Sequence, residues 1–265
     1  MLIDTHCHLN FKAFKKDLDE VIVRAKESGV AKIIIPGAKI DSSRRAVEIA
    51  GKYDGIYAAV GTHPHHAGED LDTDTLVLLT RDKKTVAVGE IGLDHHRYKN
   101  YPELTDREKD NQVTLFIEQL KIAERFNLPV IIHCRAAQEQ LLKTLNNFLK
   151  KGGQVRGVFH CFEGTADYLD RVLELDFYIG FDGNITYPEN KSLAGLVKRV
   201  PQNRLLLETD APFLTPLPFR GTRNEPAYLT ETAEFIAGIL KIKSEDLANK
   251  TNENADRLFF VGRNL

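Results

Sequence analysis

Short apolar, β-branched runs alternate with longer amphipathic stretches along the whole chain, the pattern of a parallel sheet whose strands are joined by crossover helices. The strand candidates are Leu2–His6, Lys32–Pro36, Ile56–Gly61, Thr85–Glu90, Val130–His133, Gly157–His160, Phe177–Phe181 and Leu205–Asp210. Helices are expected over Asp17–Ser28, Asp41–Lys52, Asp110–Phe126 and Ala136–Lys150, with Asp or Ser at several starts and Gly after several ends. Eight strand-and-helix units predict an α/β fold, a closed (β/α)8 TIM barrel with its site at the C-terminal ends of the strands. An open doubly wound sheet is the runner-up. Such a sheet usually carries a glycine-rich phosphate turn after its first strand, and neither GxGxxG nor GKS/T occurs.

The strand ends Pro36, His63, Glu90, His133 and His160 recur one strand-and-helix unit apart, except for a longer step between Glu90 and His133. That step contains Asp94–Asp110, rich in charge, Tyr and Pro, which is expected to be an enlarged loop over the barrel mouth. The tail, Ser244–Phe260, reads as a last helix of the outer layer, begun by Ser244 with Asp246 in its first turn. The 265 residues are close to the roughly 250 of such a barrel, so residues 1–265 are expected to form one domain.

Composition narrows the function classes. Hydrophobic residues make up 42% of the chain, yet no apolar run approaches the roughly 18 residues that span a bilayer. Met1 leads straight into an apolar strand rather than a charged leader, which predicts a cytoplasmic protein. With 36 basic and 38 acidic residues the formal net charge is −2, so any nucleic acid must be held by local features rather than a global basic field. No long exposed apolar seam is evident, and a monomer is expected. Cys7, Cys134 and Cys161 each directly follow a histidine. If the histidines face a site, strand alternation sends the thiols toward the helices as small core residues.

The candidate chemistry lies at the strand ends. In a strand, alternate side chains share a face, so His6 and His8 have Cα atoms roughly 6.6 Å apart and can reach one metal ion. His63, Glu90, His133, His160 and Asp210 close other strands, and a barrel gathers such ends at one mouth. Together these residues form the ligand set of a two-ion site, with carboxylates able to bridge. Two divalent ions bring more positive charge than Glu90, Asp210 and a hydroxide remove, so an anionic substrate such as a phosphoester is favoured. Arg135, one pleat beyond His133, and Arg220, Arg223 and Asn224 in the segment Phe219–Pro226 are candidate substrate contacts, the arginines through forked hydrogen bonds to phosphate. Asp4 and Glu208 lie one pleat behind ligands and are candidates to orient them.

Through DTHCHL, GTHPH, GEIGLD, the Gln112/Phe116/Gln119 helix pattern, LPVIIHCR, HCF, ETDAPFL and RGTRNEP, the chain resembles the TatD family of metal-dependent deoxyribonucleases over essentially its whole length. The resemblance implies that His6, His8, Glu90 and Asp210 hold one ion and that Glu90, His133 and His160 hold the other, with Glu90 bridging. It implies magnesium, manganese or zinc as the divalent metal. It also implies hydrolysis of DNA phosphodiesters, typically as a 3′–5′ exonuclease preferring single strands, with His63 beside the substrate. The sequence departs from the family at Glu163, where many members have Ser, and at Asp182–Asn184, often Ser-Gly. His95 and His96 fall outside the ligand pattern and read as surface or substrate-side residues.

The expected mechanism is attack on phosphorus by a water held between the ions, with Asp210 as base, Arg135 stabilising phosphoryl charge and His63 a proton donor to the leaving oxygen. Three rivals remain. A metal-dependent esterase such as a D-aminoacyl-tRNA deacylase could use the same ligands. A phosphotriesterase-like relative would bridge its ions with a modified lysine where Glu90 stands. A noncatalytic nucleic-acid-binding barrel would leave costly buried charges unused.

Overall fold

The computed structural model describes residues 1–69, 71–99 and 102–261. Eight strands follow one another around a parallel sheet in chain order: β1 (Leu2–Asp4), β2 (Val30–Pro36), β3 (Ile56–Val60), β4 (Thr85–Asp94), β5 (Val130–Arg135), β6 (Gly157–Phe159), β7 (Tyr178–Phe181) and β8 (Leu205–Leu207). The barrel closes where Thr5 N–H donates to the Leu207 carbonyl at 3.1 Å, and the Asp210 and His8 N–H groups donate to His6 and Ala211. The outer layer comprises α1 (Leu18–Glu27), α2 (Ile40–Lys52), α3 (Thr73–Thr80), α4 (Asp106–Arg125), α5 (Gln138–Lys150), α6 (Ala166–Glu174), α7 (Lys191–Arg199), α8 (Leu229–Leu240) and α9 (Ser244–Ala255). The eight-unit barrel read from the hydrophobic pattern is therefore the fold, and the open sheet is not.

Strand alternation sorts the core into two layers. Ile33 and Ile35, Val130 and Ile132, and Leu205 and Leu207 face outward into the large cluster shared with the helices. Ile34, Ile131, Val158 and Leu206 point inward and meet at the barrel axis. Extending the inward rows toward the strand ends reaches His133 and Arg135 on β5, His160 after β6, and Glu208 and Asp210 after β8. The apolar floor of the barrel thus becomes a polar mouth without any change of face.

Several boundaries differ from the sequence expectation. Helix α4 starts at Asp106, not Asp110, because Thr105 and Glu108 form a reciprocal capping box that satisfies its first N–H groups. The enlarged loop is correspondingly shorter, and residues 100 and 101 of it lie outside the described residues. Strand β4 continues past Glu90 to Asp94. The chain after α9 does not extend the outer layer as a plain helix. It widens into a π turn, Asp256–Phe260, and Leu258 and Phe259 join the inward cluster and plug the barrel floor. Burial of a side chain the size of Phe259 contributes roughly 1.5–3 kcal/mol. Helix α9 does begin at Ser244 with Asp246 in its first turn, as expected.

Candidate metal centre

Glu90 is buried at the centre of the mouth and turns its two oxygens to two groups of imidazoles. Its Oε2 lies 3.4 Å from His6 Nε2 and 3.6 Å from His8 Nε2. Its Oε1 lies 2.8 Å from both His133 Nδ1 and His160 Nε2. Asp210 completes the first group, with Oδ1 3.6 Å from His6 Nε2 and 3.3 Å from His8 Nε2.

These spacings fit metal ligation. Four atoms placed tetrahedrally about 2.1 Å from an ion stand about 3.4 Å apart. The His6 and His8 Nε2 atoms are 3.2 Å apart, so the first group reproduces that edge length throughout its measured contacts. His133 Nδ1 and His160 Nε2 are also 3.2 Å apart, but each stands at hydrogen-bond distance, 2.8 Å, from Glu90 Oε1, closer than the edge of a loaded site. The donor set of imidazole nitrogen and carboxylate oxygen suits zinc, manganese or magnesium.

Electrostatics follow from the packing. Burial disfavours the Glu90 carboxylate, but the imidazoles of His160 and His63 and bonds from His133 and His160 outweigh it and hold Glu90 well below the usual carboxylate range. Burial and the neighbouring His160 push His6 down to about 4. Burial opposes charge on His133 too, yet hydrogen bonds to Asp94 and Glu90 push it up to about 9. Asp210 is lowered because its bond to His8 and the charge of His6 overcome desolvation.

A second layer, organised by Asp94, was missed by sequence reasoning. Asp94 is 1% exposed, and its Oδ2 accepts from His65 Nε2 at 2.8 Å, Tyr98 Oη at 2.8 Å and His133 Nε2 at 3.3 Å. Its Oδ1 accepts from the His96 N–H. The carboxylate thereby fixes the His133 tautomer that leaves Nδ1 free to face Glu90. The signal was present: Glu90, Gly92 and Asp94 alternate on one face of β4, but the strand was expected to stop at Glu90. Gly92, between them, sits at φ +146° with the His133 carbonyl where a Cβ would lie.

Two glutamines of α4 clamp the backbone beneath these side chains. Gln112 exchanges hydrogen bonds with the Asp94 N–H and carbonyl, both at 2.9 Å, and Gln119 does the same with Thr62, next to His63. His63 presents Nε2 3.6 Å from Glu90 Oε1, while its Nδ1 accepts the His65 N–H. Asp4 holds backbone and a hydroxyl, and Glu208 holds backbone while facing the His160 imidazole. Asp4 accepts from the N–H groups of His6 and Thr209 and from Thr209 Oγ1. Glu208 accepts the Cys161 N–H and lies 3.8 Å from His160 Nδ1.

Arg135 reaches the mouth, its Nη1 donating to Tyr98 Oη at 3.3 Å. The segment Phe219–Pro226 does not bring its polar residues there. Arg220 pairs with Glu189 at 2.5 Å and lies over Tyr187. Arg223 forks onto Asp17 at 2.6 and 2.8 Å. Asn224 is fully buried and spends its amide on the Thr209 and Phe213 carbonyls and the Glu225 N–H. Their partners here are carboxylates and backbone groups of the protein itself, which the linear pattern does not show.

The cysteines also divide. Cys7 is buried in the outward core as alternation predicts. Cys134, within β5, packs against the same outward cluster and also edges the mouth cavity, whereas Cys161 lines that cavity because β6 ends at Phe159 and Cys161 takes φ +44°, which breaks the alternation. That cavity holds about 550 Å3 and is also lined by His8, His63, Glu90, His160 and Asp210. Glu163 and Asn184 meet at its rim at 3.4 Å, and His96 packs edge-on against Tyr98.

Residues 3–260 match the model of the TatD related DNase family. The YabD protein of Bacillus subtilis (strain 168), named as an uncharacterized metal-dependent hydrolase, is 42% identical over 264 residues, covering 98% of this chain and 100% of that protein. A protein of Yersinia pseudotuberculosis serotype O:3 named 3′-5′ ssDNA/RNA exonuclease TatD is 36% identical, covering 97% of this chain and 99% of its own length. The crystal structure of YJJV, a TatD homolog from Escherichia coli K12, superposes with a TM-score of 0.87 at 34% identity, covering 98% of both chains. With the histidine and carboxylate groups in place at the barrel mouth, the chain belongs to the TatD family and is a metal-dependent hydrolase.

Proposed function

We propose that the protein hydrolyses phosphodiester bonds of DNA, acting on single strands as a 3′–5′ exonuclease; His6, His8, Glu90, His133, His160 and Asp210 would hold two divalent ions. The observation that carries this reading is the division of one carboxylate between two imidazole groups, Oε2 toward His6 and His8 and Oε1 toward His133 and His160. Magnesium, manganese or zinc, when bound, supplies Lewis-acid stabilisation of charge building on the phosphoryl oxygens.

The side chains supply the rest. Asp210 is held ionised beside His6 and His8 and takes the proton of the attacking water. His63 accepts a hydrogen bond at Nδ1, and burial and the neighbouring His133 hold it well below the usual imidazole range, so it is neutral with its N–H at Nε2, where it would hydrogen-bond the leaving sugar oxygen while the proton that oxygen needs comes from water. Arg135, steadied by the hydroxyl and ring of Tyr98, offers a forked donor to phosphate oxygens. Arg220, Arg223 and Asn224 have no part in this scheme. A single domain acting as a monomer in the cytoplasm is part of the same proposal. Among the described residues no helix is long and apolar enough to cross a membrane.

The test is digestion of end-labelled single- and double-stranded DNA by chelated protein resupplied with each metal, run beside misacylated tRNA. Stepwise shortening of single strands from the 3′ end supports the proposal. Deacylation of tRNA without DNA cleavage replaces it with the esterase reading.

A further inference from the structure

The apolar lip of the mouth is built unlike its remaining wall. Phe213 is 51% exposed although it stands three residues after Asp210. Its loop is held firmly: the Phe213 N–H donates to the Asp210 carbonyl at 2.9 Å, and the Phe213 carbonyl accepts from the buried Asn224 amide at 2.6 Å. Phe11 lies flat against the His8 imidazole, ring centroids 4.3 Å apart, and meets Phe213 edge-to-face at 6.1 Å. Both rings line the cavity that contains Glu90 and Asp210.

A large apolar ring held half in water by a fixed backbone forfeits burial, so its exposure calls for a ligand rather than for slack packing. The chemistry around it narrows that ligand. The shelf touches a member of the first imidazole group directly, so an occupant lies next to the reacting phosphate. Lys12, Lys15 and Lys16 follow Phe11 immediately, are exposed, and make no ion pair among the described residues. Across the cavity stand Arg135 and Tyr98. An aromatic face flanked by cations on both sides of an anion-binding centre is what a single-stranded nucleic acid requires: charge for its backbone and a surface for its bases.

We infer that Phe213, braced by Phe11, stacks a nucleobase flanking the scissile phosphodiester, which makes it a substrate-positioning residue that no ligand pattern reveals. The inference rests on the nuclease reading and deepens it. Stacking on one face is tolerant of base identity, which suits an enzyme that must accept each successive nucleotide.

The test uses metal-loaded protein and single-stranded oligonucleotides that carry either natural nucleotides throughout or one abasic analogue on either side of the bond cleaved first. The wild type is expected to lose on the order of 10-fold in kcat/KM when the abasic analogue occupies the stacked position. Phe213→Ala should lose a similar factor on the natural strand and nothing further on the abasic one, and Phe213→Tyr should restore discrimination. Metal content measured on the same samples must match the wild type. A cleaving wild type for which Phe213→Ala changes neither strand, or lowers both equally, overturns the shelf alone. A wild type that cleaves no oligonucleotide with any metal overturns the nuclease reading and the shelf together.

Discussion

Asp94 Oδ2 lies 3.3 Å from His133 Nε2, on the far side of the ring from the nitrogen that faces Glu90. The imidazole is therefore held at both ends by carboxylates, one of which belongs to the proposed ligand set while the other only steers the ring. Replacing the steering carboxylate with an amide removes its charge and its preference for one tautomer. Asp94→Asn should weaken metal binding by roughly 10–100-fold. Titration calorimetry on chelated protein measures this, and unchanged affinity would remove Asp94 from the account.

Proton and metal compete for His133 Nδ1. In the metal-free protein the ring is pushed up to about 9, so across pH 6.5 to 9 it is protonated when folded and neutral when unfolded. Its contribution to metal-free stability is present below the unfolded value of 6.5 and is lost as pH rises through about 9. Metal affinity should move the opposite way, rising over that window as the proton leaves. Proton release on metal addition, followed in buffers of different ionisation enthalpy, checks the sign. An affinity that falls with pH would contradict it.

Gly92→Ala is expected to cost on the order of 3 kcal/mol, because φ +146° is unsuited to an L side chain and the His133 carbonyl occupies the space. Gly195 in α7 has nothing within 4 Å of an added Cβ. Gly195→Ala should stabilise by about 0.5–1 kcal/mol. Urea unfolding of the two variants must show opposite signs.

The arginines divide by what they touch. Arg135→Ala should raise KM for DNA at least several-fold with metal content unchanged, whereas Arg220→Ala should leave kinetics near wild type, since Arg220 spends its charge on Glu189. Steady-state kinetics on one oligonucleotide separates them, and equal losses would restore Arg220 to the substrate site.

Much of this site is visible in the chain because strand alternation is a local rule. His6 and His8 face one way with Cys7 between them, and Ile131, His133 and Arg135 share a row from barrel floor to mouth. The rule fails where the backbone leaves the ladder. Cys161 turns into the left-handed region directly after His160 and so reaches the cavity. Asp94 escaped notice because β4 runs four residues beyond its apolar stretch, held there by Gln112 from a helix many residues away. Arg220, Arg223 and Asn224 look like a phosphate grip in the linear text. Their partners Glu189, Asp17 and the Phe213 carbonyl are supplied by folding. Thr105 and Glu108 are the opposite case, a capping pair written plainly in the sequence that starts α4 four residues ahead of the expected Asp110.

Under the proposal, Glu90 is the one carboxylate common to both imidazole groups. Elemental analysis and turnover, measured on the same preparations of wild type and Glu90→Ala after chelation and reloading, separate this from a bystander role. Two divalent ions per chain are expected in the wild type, with loss of both stoichiometry and hydrolysis in the variant. A Glu90→Ala protein that keeps two ions per chain and hydrolyses at the wild-type rate would contradict it.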